Sequence, residues 1–96
     1  MRVDLARQAQ RDLHKLRRSP DLKRLQVAIE SLRSQGLHAD VKALEGARPW
    51  LRLRTGDWRI IYRKYSQAEV DERGEDGYVV ARIVNRRDLA DAVRSL

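Results

Sequence analysis

Cysteine is absent from this 96-residue sequence, which excludes a disulfide framework and any metal site built from thiolates. Long apolar runs are also absent, since none approaches the roughly 18 residues that cross a membrane, and the N-terminus lacks the apolar segment of a secretion signal. The two histidines, His14 and His38, have no further ligand at a metal-binding spacing. We therefore expect a cytoplasmic protein with no membrane partner, no metal and no cofactor.

Large aromatic side chains are scarce, with no phenylalanine, two tryptophans and three tyrosines. Because hydrophobic residues still make up 42% of the chain, the core should be mainly aliphatic. A chain of this length supports one core of ordinary size rather than two. We therefore expect a single domain over residues 1–96, without internal repeats or a linker.

Acidic residues are outnumbered by basic ones, 14 to 21, which gives a net charge of +7. Most of the basic excess lies in residues 1–65, which carry 16 basic and 7 acidic residues. Residues 66–77, in contrast, carry 1 basic and 5 acidic residues. A surface of this kind attracts polyanions. The charge therefore predicts a nucleic acid or an acidic protein segment as partner, although a basic surface kept for solubility is an equal alternative on charge alone.

Two helical patterns come first in the chain. In residues 5–18 the apolar side chains recur with a helical period. Pro20 is expected to end that helix. Asp21 is expected to cap a second helix, which should end near Gly36. Because so few residues join the two, we expect an antiparallel helical hairpin.

From residue 50 onward the apolar period changes from 3.6 to 2. Strands are predicted over residues 50–54, 58–65 and 78–84, with turn chemistry at 55–57. The polar, acidic stretch 66–77 is interpreted as a mobile hairpin loop. A short N-terminal edge strand and a short C-terminal helix complete the prediction. The expected fold class is α+β, with the N-terminal helical hairpin packed on an antiparallel sheet, a three-stranded meander plus the edge strand.

Alternation along the strands separates two faces of the sheet. One face should form the core and carries Leu51, Leu53, Trp58, Ile60, Tyr62, Val79, Ala81 and Ile83. The opposite face carries Ile61, Val80, Val84, Trp50 and six arginines, which are Arg52, Arg54, Arg59, Arg63, Arg82 and Arg86. Pairing of Leu53 with Trp58 would set Arg52 directly opposite Arg59, and like charges in that position are unfavourable. Because such local conflicts tend to mark functional sites, the basic face is the candidate site.

Arginine on this face indicates the chemistry of the partner. The planar guanidinium binds two phosphate oxygens at once, which a lysine does not. Trp50 on the same face would either stack on a base or shield the edge of the sheet. A solvated outer face that binds nothing is the alternative explanation for any single arginine.

Four runs along the chain match a known pattern, and they are LEG at residues 44–46, LRLR at 51–54, GDWRIIY at 56–62 and NRRD at 85–88. In these runs the sequence resembles the RelE/ParE toxin superfamily, over nearly the whole chain from about Val3 to about Leu89. The resemblance implies a toxin of a type II toxin–antitoxin system, neutralised by a small cognate antitoxin protein.

Two activities occur within that superfamily. RelE-like members cleave mRNA on the ribosome without a metal ion, by attack of a 2′-hydroxyl on the adjacent phosphate, whereas ParE-like members poison DNA gyrase. The resemblance favours the endoribonuclease, with the ribosome and mRNA as partners, over the gyrase poison. A nucleic-acid-binding module without toxicity is a third alternative.

The resemblance also implies site residues. Arg52, Arg59 and Arg86 match basic positions of the family and are expected to be catalytic, by stabilising the phosphorane. The expected RNA-binding residues are Arg54, Arg63, Arg82, Arg87 and Trp50. Asn85 departs from the usual His or Lys, and Ala90 departs from a Tyr used in proton transfer. No strong general base replaces them, since an arginine of pKa roughly 12 or above is a poor one.

Overall fold

The computed structural model of the chain describes residues 1–34 and 40–96. The elements, in chain order, are β1 Arg2–Leu5, α1 Arg7–Lys15, α2 Leu22–Ser31, β2 Val41–Ala43, β3 Leu51–Thr55, β4 Trp58–Lys64, α3 Gln67–Arg73, β5 Gly77–Asn85, a 3₁₀ turn Arg86–Asp88 and α4 Leu89–Arg94. The predicted helix end at Gly36 lies outside the described residues, as does His38. Within the described ranges, no helix is long and apolar enough to cross a membrane.

One five-stranded sheet, with the strand order β1-β5-β4-β3-β2, forms the centre of the fold. Antiparallel pairing of β3 with β4 and of β4 with β5 confirms the predicted meander. β1 confirms the predicted edge strand, but it pairs parallel to β5, so the sheet is mixed rather than antiparallel. β2 pairs antiparallel with β3 and was not predicted, because three residues are too few to show a period. The α+β class is confirmed.

The helical hairpin of α1 and α2 covers one face of the sheet, here called the front face. Ala9, Leu25 and Ile29 of the hairpin are buried and pack against buried residues of β3, β4 and β5. Each large aliphatic side chain buried in this way contributes roughly 1.5–3 kcal/mol. Asp21 occupies the N-cap position of α2 as expected, but its side chain makes no capping hydrogen bond, and its carboxylate accepts a hydrogen bond of 3.0 Å from Nε1 of Trp58.

The turn between β3 and β4 is tighter than expected. Thr55 pairs with Trp58, so that only Gly56 and Asp57 form the loop. Gly56 has a φ of +59°, the left-handed conformation that two-residue hairpin turns favour. The predicted pairing of Leu53 with Trp58 is therefore wrong.

The observed register is shifted by two residues from the predicted one. Arg54, and not Arg52, lies directly opposite Arg59, while Arg52 lies opposite Ile61. A shift of two leaves every side chain of these strands on its predicted face, because side chains alternate with a period of two. The expected conflict between two opposed arginines therefore persists with a different partner.

β5 contains one extra residue in the middle of the strand. Consecutive residues of β4 pair with Arg82 and Val80, which leaves Ala81 without a partner. A bulge of this kind shifts the alternation of side chains by one residue. The assignment of Val79 and Ala81 to the core and of Val80 to the opposite face is therefore wrong. Val80 is fully buried in the front core, and Val79 pairs with Arg63 on the other face.

Residues 66–77 do not form a loop, and that prediction is wrong. Ser66 accepts a hydrogen bond from the backbone nitrogen of Glu69, and the Glu69 carboxylate accepts one from the backbone nitrogen of Ser66. This capping box starts α3, and Gly74, at a φ of +78°, ends it in the left-handed conformation. The cap spacing and the glycine are both present in the sequence, but α3 buries no residue and so shows no apolar stripe.

The C-terminal end of α3 is fastened to β1. Nε of Arg73 lies 2.8 Å from a carboxylate oxygen of Asp4, and the Tyr65 hydroxyl donates to the same oxygen at 2.5 Å. The hydrogen bond from Tyr65 is the main reason why the pKa of Asp4 is lowered. Burial, followed by the bond to Asp4, raises the pKa of Tyr65 to about 12.

A second, smaller apolar cluster lies on the opposite face of the sheet, here called the back face. Ile61, Val84 and Ala92 are buried there, and Trp50 and Leu89 pack against them. The short C-terminal helix that was predicted is therefore confirmed as α4, and it covers part of the back face. Only the remaining part of that face is left for a basic surface.

Candidate phosphate-binding site

Four arginines converge on the part of the back face next to the β3–β4 turn, and we call them the arginine cluster: Arg52, Arg54, Arg59 and Arg86. β3 supplies two of them on alternate residues, and β4 supplies Arg59 directly opposite Arg54. Arg86 begins the 3₁₀ turn after β5, where its backbone nitrogen donates to the carbonyl of Asp57 at 2.8 Å. The β3–β4 turn and the end of β5 therefore bring together residues far apart in sequence.

Arg59 lies at the centre of the arginine cluster. Desolvation lowers the pKa of its guanidinium, and repulsion from Arg52, Arg54 and Arg86 lowers it further, while Asp57 acts in the opposite sense. Nη1 of Arg59 donates to the carbonyls of Gly56 and Trp58, at 3.0 Å each. Within the described residues Arg59 forms no ion pair. A bound anion would relieve this repulsion.

The counter-charges around the arginine cluster are weakly held. Arg54 pairs with Asp40 at 3.1 Å, and both side chains are about half exposed, at 54% and 52%. Arg86 and Asp57 are 3.6 Å apart and 68% and 70% exposed. Exposed pairs of this kind contribute between about 0 and 1 kcal/mol. A phosphate group could therefore displace these carboxylates at little cost.

Arg63, predicted on the same face, is held by a different element. Its guanidinium donates to both carboxylate oxygens of Glu69, at 2.6 and 3.2 Å, and it lies over the ring of Trp50, 5.7 Å from the centroid. The hydrogen bond from Arg63 is the main cause that lowers the pKa of Glu69 to about 2. α3 therefore neutralises this arginine.

Arg82 is held just as firmly, by α1. Its Nε donates at 2.9 Å to the carboxylate of Asp12, which is buried, and that carboxylate also accepts from the backbone nitrogen of Ile83 at 2.9 Å. Asp12 thereby ties α1 to the bulged part of β5. The structure brings Arg82 to this ion pair and not to the arginine cluster.

The remaining predicted residues lie around these groups. Trp50 is half-buried in the back-face cluster. Arg87 is exposed beyond Arg86, and the side chain of Asn85 caps the 3₁₀ turn by accepting from the Arg87 nitrogen at 3.2 Å. Ala90 is exposed on α4. In the part of the chain that is described, no three residues of the His, Cys, Asp and Glu types come together as a metal site.

Sequence reasoning missed one arginine at this site. Arg24 of α2 reaches the β3–β4 turn and packs closely against Gly56. A Cβ atom at position 56 would lie only 2.6 Å from Nη1 of Arg24. Arg59 donates to the carbonyl of the same glycine, so the two guanidinium groups flank one residue. The sequence carries no signal for this contact, because it depends on how α2 crosses the sheet.

The fold is that of known toxins. A mutant of YafQ from E. coli matches with a TM-score of 0.68 and 17% identity over 92% of this chain and 96% of that chain. A chain of the RelB–RelE antitoxin–toxin complex from Methanococcus jannaschii matches with a TM-score of 0.61 and 21% identity, over 92% of this chain and 95% of that chain. A chain of the RelBE2 toxin–antitoxin complex from Mycobacterium tuberculosis matches with a TM-score of 0.54 and 25% identity, over 88% of this chain and 95% of that chain. No curated protein sequence shows significant similarity to the chain.

The family follows from the sequence itself. Residues 3–90 match the family model described as the ParE toxin of type II toxin–antitoxin system, parDE. The chain therefore belongs to this toxin family, within the RelE/ParE superfamily, as the resemblance implied.

Proposed function

We propose that this toxin is a metal-independent endoribonuclease that cleaves mRNA on the ribosome. The observation that carries this proposal is the arginine cluster, in which Arg59 is partly desolvated and repelled by three neighbouring guanidinium groups. Four positively charged side chains beside one turn would stabilise a group that gains negative charge during a reaction. The backbone phosphate of RNA gains such a charge when its own 2′-hydroxyl attacks it.

The reaction would proceed by one displacement at phosphorus. The 2′-oxygen forms a bond to phosphorus and gives its proton to a ribosomal group, while the bond to the 5′-oxygen breaks and that oxygen takes a proton from a second ribosomal group. The products are a 2′,3′-cyclic phosphate and a free 5′-hydroxyl. Arg59 and its neighbours would stabilise the phosphorane that exists while the one bond forms and the other breaks.

The roles within the arginine cluster follow from exposure and pairing. Arg59, fixed by two carbonyls, would contact the phosphorane throughout the displacement. Arg52 is half-buried, and its Nη1 donates to the carbonyl of Asp40 at 2.8 Å, so it would hold a nonbridging oxygen from the other side. Arg86 is exposed and would close on the phosphate when substrate binds. Ribosomal groups would supply proton transfer where Asn85 and Ala90 supply none.

A small cognate antitoxin is the expected protein partner. YafQ occurs in a toxin–antitoxin complex with DinJ, and RelE occurs in one with RelB. The net charge of +7 favours a partner segment that is acidic. Binding of such a segment across the arginine cluster would neutralise the toxin by occupying the phosphate site.

Poisoning of DNA gyrase is a second candidate, and two observations favour it. The family model that matches residues 3–90 is the one named for ParE, and Asn85 and Ala90 lack the proton-transfer groups of RelE-like members. In that case the arginine cluster would contact an anionic surface of gyrase or its DNA without reacting.

Induced expression in a bacterial host, without antitoxin, separates the candidates. The endoribonuclease predicts growth arrest with new 5′ ends inside codons of ribosome-bound mRNA, and Arg59→Ala should abolish both. Arg7→Ala, which removes an exposed arginine of α1, is the matched control and should remain toxic. Intact mRNA with accumulated gyrase–DNA cleavage complexes would establish the gyrase poison instead. Soluble, folded protein that causes no arrest would leave a binding module.

A further inference from the structure

A cavity of about 290 Å³ opens between the end of α1, the start of β4 and the 3₁₀ turn, and its apolar lining belongs to the front face, across the 3₁₀ turn from the arginine cluster. Leu16, Trp58 and Ile83 form its apolar lining, while Asn85 and Asp88 supply polar groups. Small-molecule sites combine an apolar floor with a few directed polar groups in this way. We propose that this cavity binds one base of the RNA whose phosphate occupies the arginine cluster, an inference that rests on the proposed endoribonuclease activity.

The ring of Trp58 provides the stacking surface. It is half-buried, and its Nε1 donates to Asp21 at 3.0 Å, which fixes the orientation of the ring. Proteins that take up unpaired bases commonly stack them on aromatic side chains. A ring that is already held loses little conformational entropy when a base stacks on it.

Two side chains at the cavity are available to contact the edge of the base. Within the described part of the chain, the Asp88 carboxylate has neither an ion-pair partner nor a cap hydrogen bond, so it can accept from a base. The Asn85 oxygen is already engaged by the nitrogen of Arg87 at 3.2 Å, which leaves the Asn85 amide to donate. One acceptor and one donor side by side match the edge of a nucleobase.

The 3₁₀ turn connects this cavity to the arginine cluster. Arg86 points to the cluster, where it pairs with Asp57 and repels Arg59, whereas the next residue, Arg87, lines the cavity. Consecutive Cα atoms are about 3.8 Å apart. In the proposed complex one nucleotide spans this turn, with its phosphate at Arg86 and its base in the cavity, and Lys15, which also lines the cavity, contacts the next phosphate.

Tryptophan fluorescence tests the site without any cleavage. In a Trp50→Phe background Trp58 is the remaining tryptophan, and the probes are a 2′-O-methyl adenosine trinucleotide, which cannot react, and an abasic chain of equal length. We expect the trinucleotide to quench Trp58 and to bind roughly tenfold more tightly than the abasic chain, within the range that base stacking contributes. Equal affinities, or an unchanged Trp58 emission on binding, would overturn the proposal.

Mapping of cleavage ends tests the specificity of the same site. Asp88→Ala should broaden the base composition at one position next to the cut, whereas Asp71→Ala, an exposed carboxylate of α3, should leave it unchanged. An unchanged base preference in Asp88→Ala would contradict the base site while the endoribonuclease stands. If no mRNA is cleaved by the wild type but the trinucleotide still quenches Trp58, the proposed reaction fails and the base site stands.

Discussion

The back face of the sheet carries two groups of arginines that differ in how they are neutralised. The side chains of Arg63 and Arg82 are each 25% exposed. Their partner carboxylates are 22% exposed in Glu69 and 7% exposed in Asp12. In the arginine cluster the paired members meet carboxylates that are 52% and 70% exposed, and Arg59 has no carboxylate partner among the described residues. The arginines of this face therefore serve two purposes. Arg63 and Arg82 form structural ion pairs with α3 and α1, whereas the arginine cluster beside the β3–β4 turn lacks firmly held counter-charges.

The difference indicates where an anion can bind. Displacing a carboxylate that is largely buried leaves a charge without a partner, which costs several kcal/mol. Displacing an exposed carboxylate costs little, because water solvates it again. Phosphate is therefore expected at the arginine cluster, and the predicted RNA-binding roles of Arg63 and Arg82 require that their ion pairs open.

The largest change should follow when the structural pair of Arg82 is broken. Asp12→Ala removes the acceptor for both Arg82 and the Ile83 nitrogen, and breaking a buried pair of this kind should lower the free energy of unfolding by about 3 kcal/mol. Urea denaturation measures it. Asp91→Ala, at an exposed pair with Arg94, is the control and should change stability by less than about 0.5 kcal/mol. Equal effects from the two variants would show that Asp12 is not the structural anchor of α1.

A smaller change should follow at α3. Glu69→Gln keeps a side chain that can complete the capping box but removes the charge that pairs with Arg63, and it should cost about 1 kcal/mol near pH 7. The folded-state pKa of Glu69 is depressed, to about 2 from 4.5, so this stabilisation is present above pH 4.5 and is lost as the pH falls toward 2. Thermal unfolding from pH 7 to pH 2 should show the difference between wild type and variant shrinking with acid. A difference that grows below pH 4.5 would contradict the assigned pair.

The smallest change should come from within the arginine cluster. Arg54 lies directly opposite Arg59, so Arg54→Ala relieves a repulsion and should raise stability by a few tenths of a kcal/mol, within the roughly 0.2–1 kcal/mol of cross-strand pairs. Loss of the exposed pair with Asp40 offsets little of this gain. Calorimetry at low salt, where repulsion is least screened, should detect it. Destabilisation by more than about 1 kcal/mol would mean that Arg54 is structural.

Local patterns account for what the sequence predicted correctly. The helical hairpin, the meander and the C-terminal helix each follow from the period of their apolar residues. Arg52, Arg54 and Arg59 were predicted to share one face because alternation along β3 and β4 decides which side chains lie together, and that remains true after a register shift of two. The fold class and the basic face could therefore be predicted without the structure.

Contacts between distant elements account for what was missed. Nothing in the sequence of β5 indicates that Ala81 is the bulged residue, which exchanges the faces of Val79 and Val80. The neutralising partners Asp12 and Glu69 lie on helices, so the sequence could not show that Arg82 and Arg63 differ from their neighbours. Long-range pairing of this kind depends on packing rather than on local pattern.

Activity measurements on Arg59→Ala and Arg63→Ala, side by side, test most directly the claim that the unsatisfied cluster is the functional site. The assay is the rate of cleavage of ribosome-bound mRNA by purified toxin, with the folded fraction of each variant determined by circular dichroism. We predict that Arg59→Ala stays folded and loses about 100-fold or more in rate, as expected for a lost transition-state donor, whereas Arg63→Ala loses less than about tenfold. Equal losses, or the larger loss in Arg63→Ala, would contradict this account.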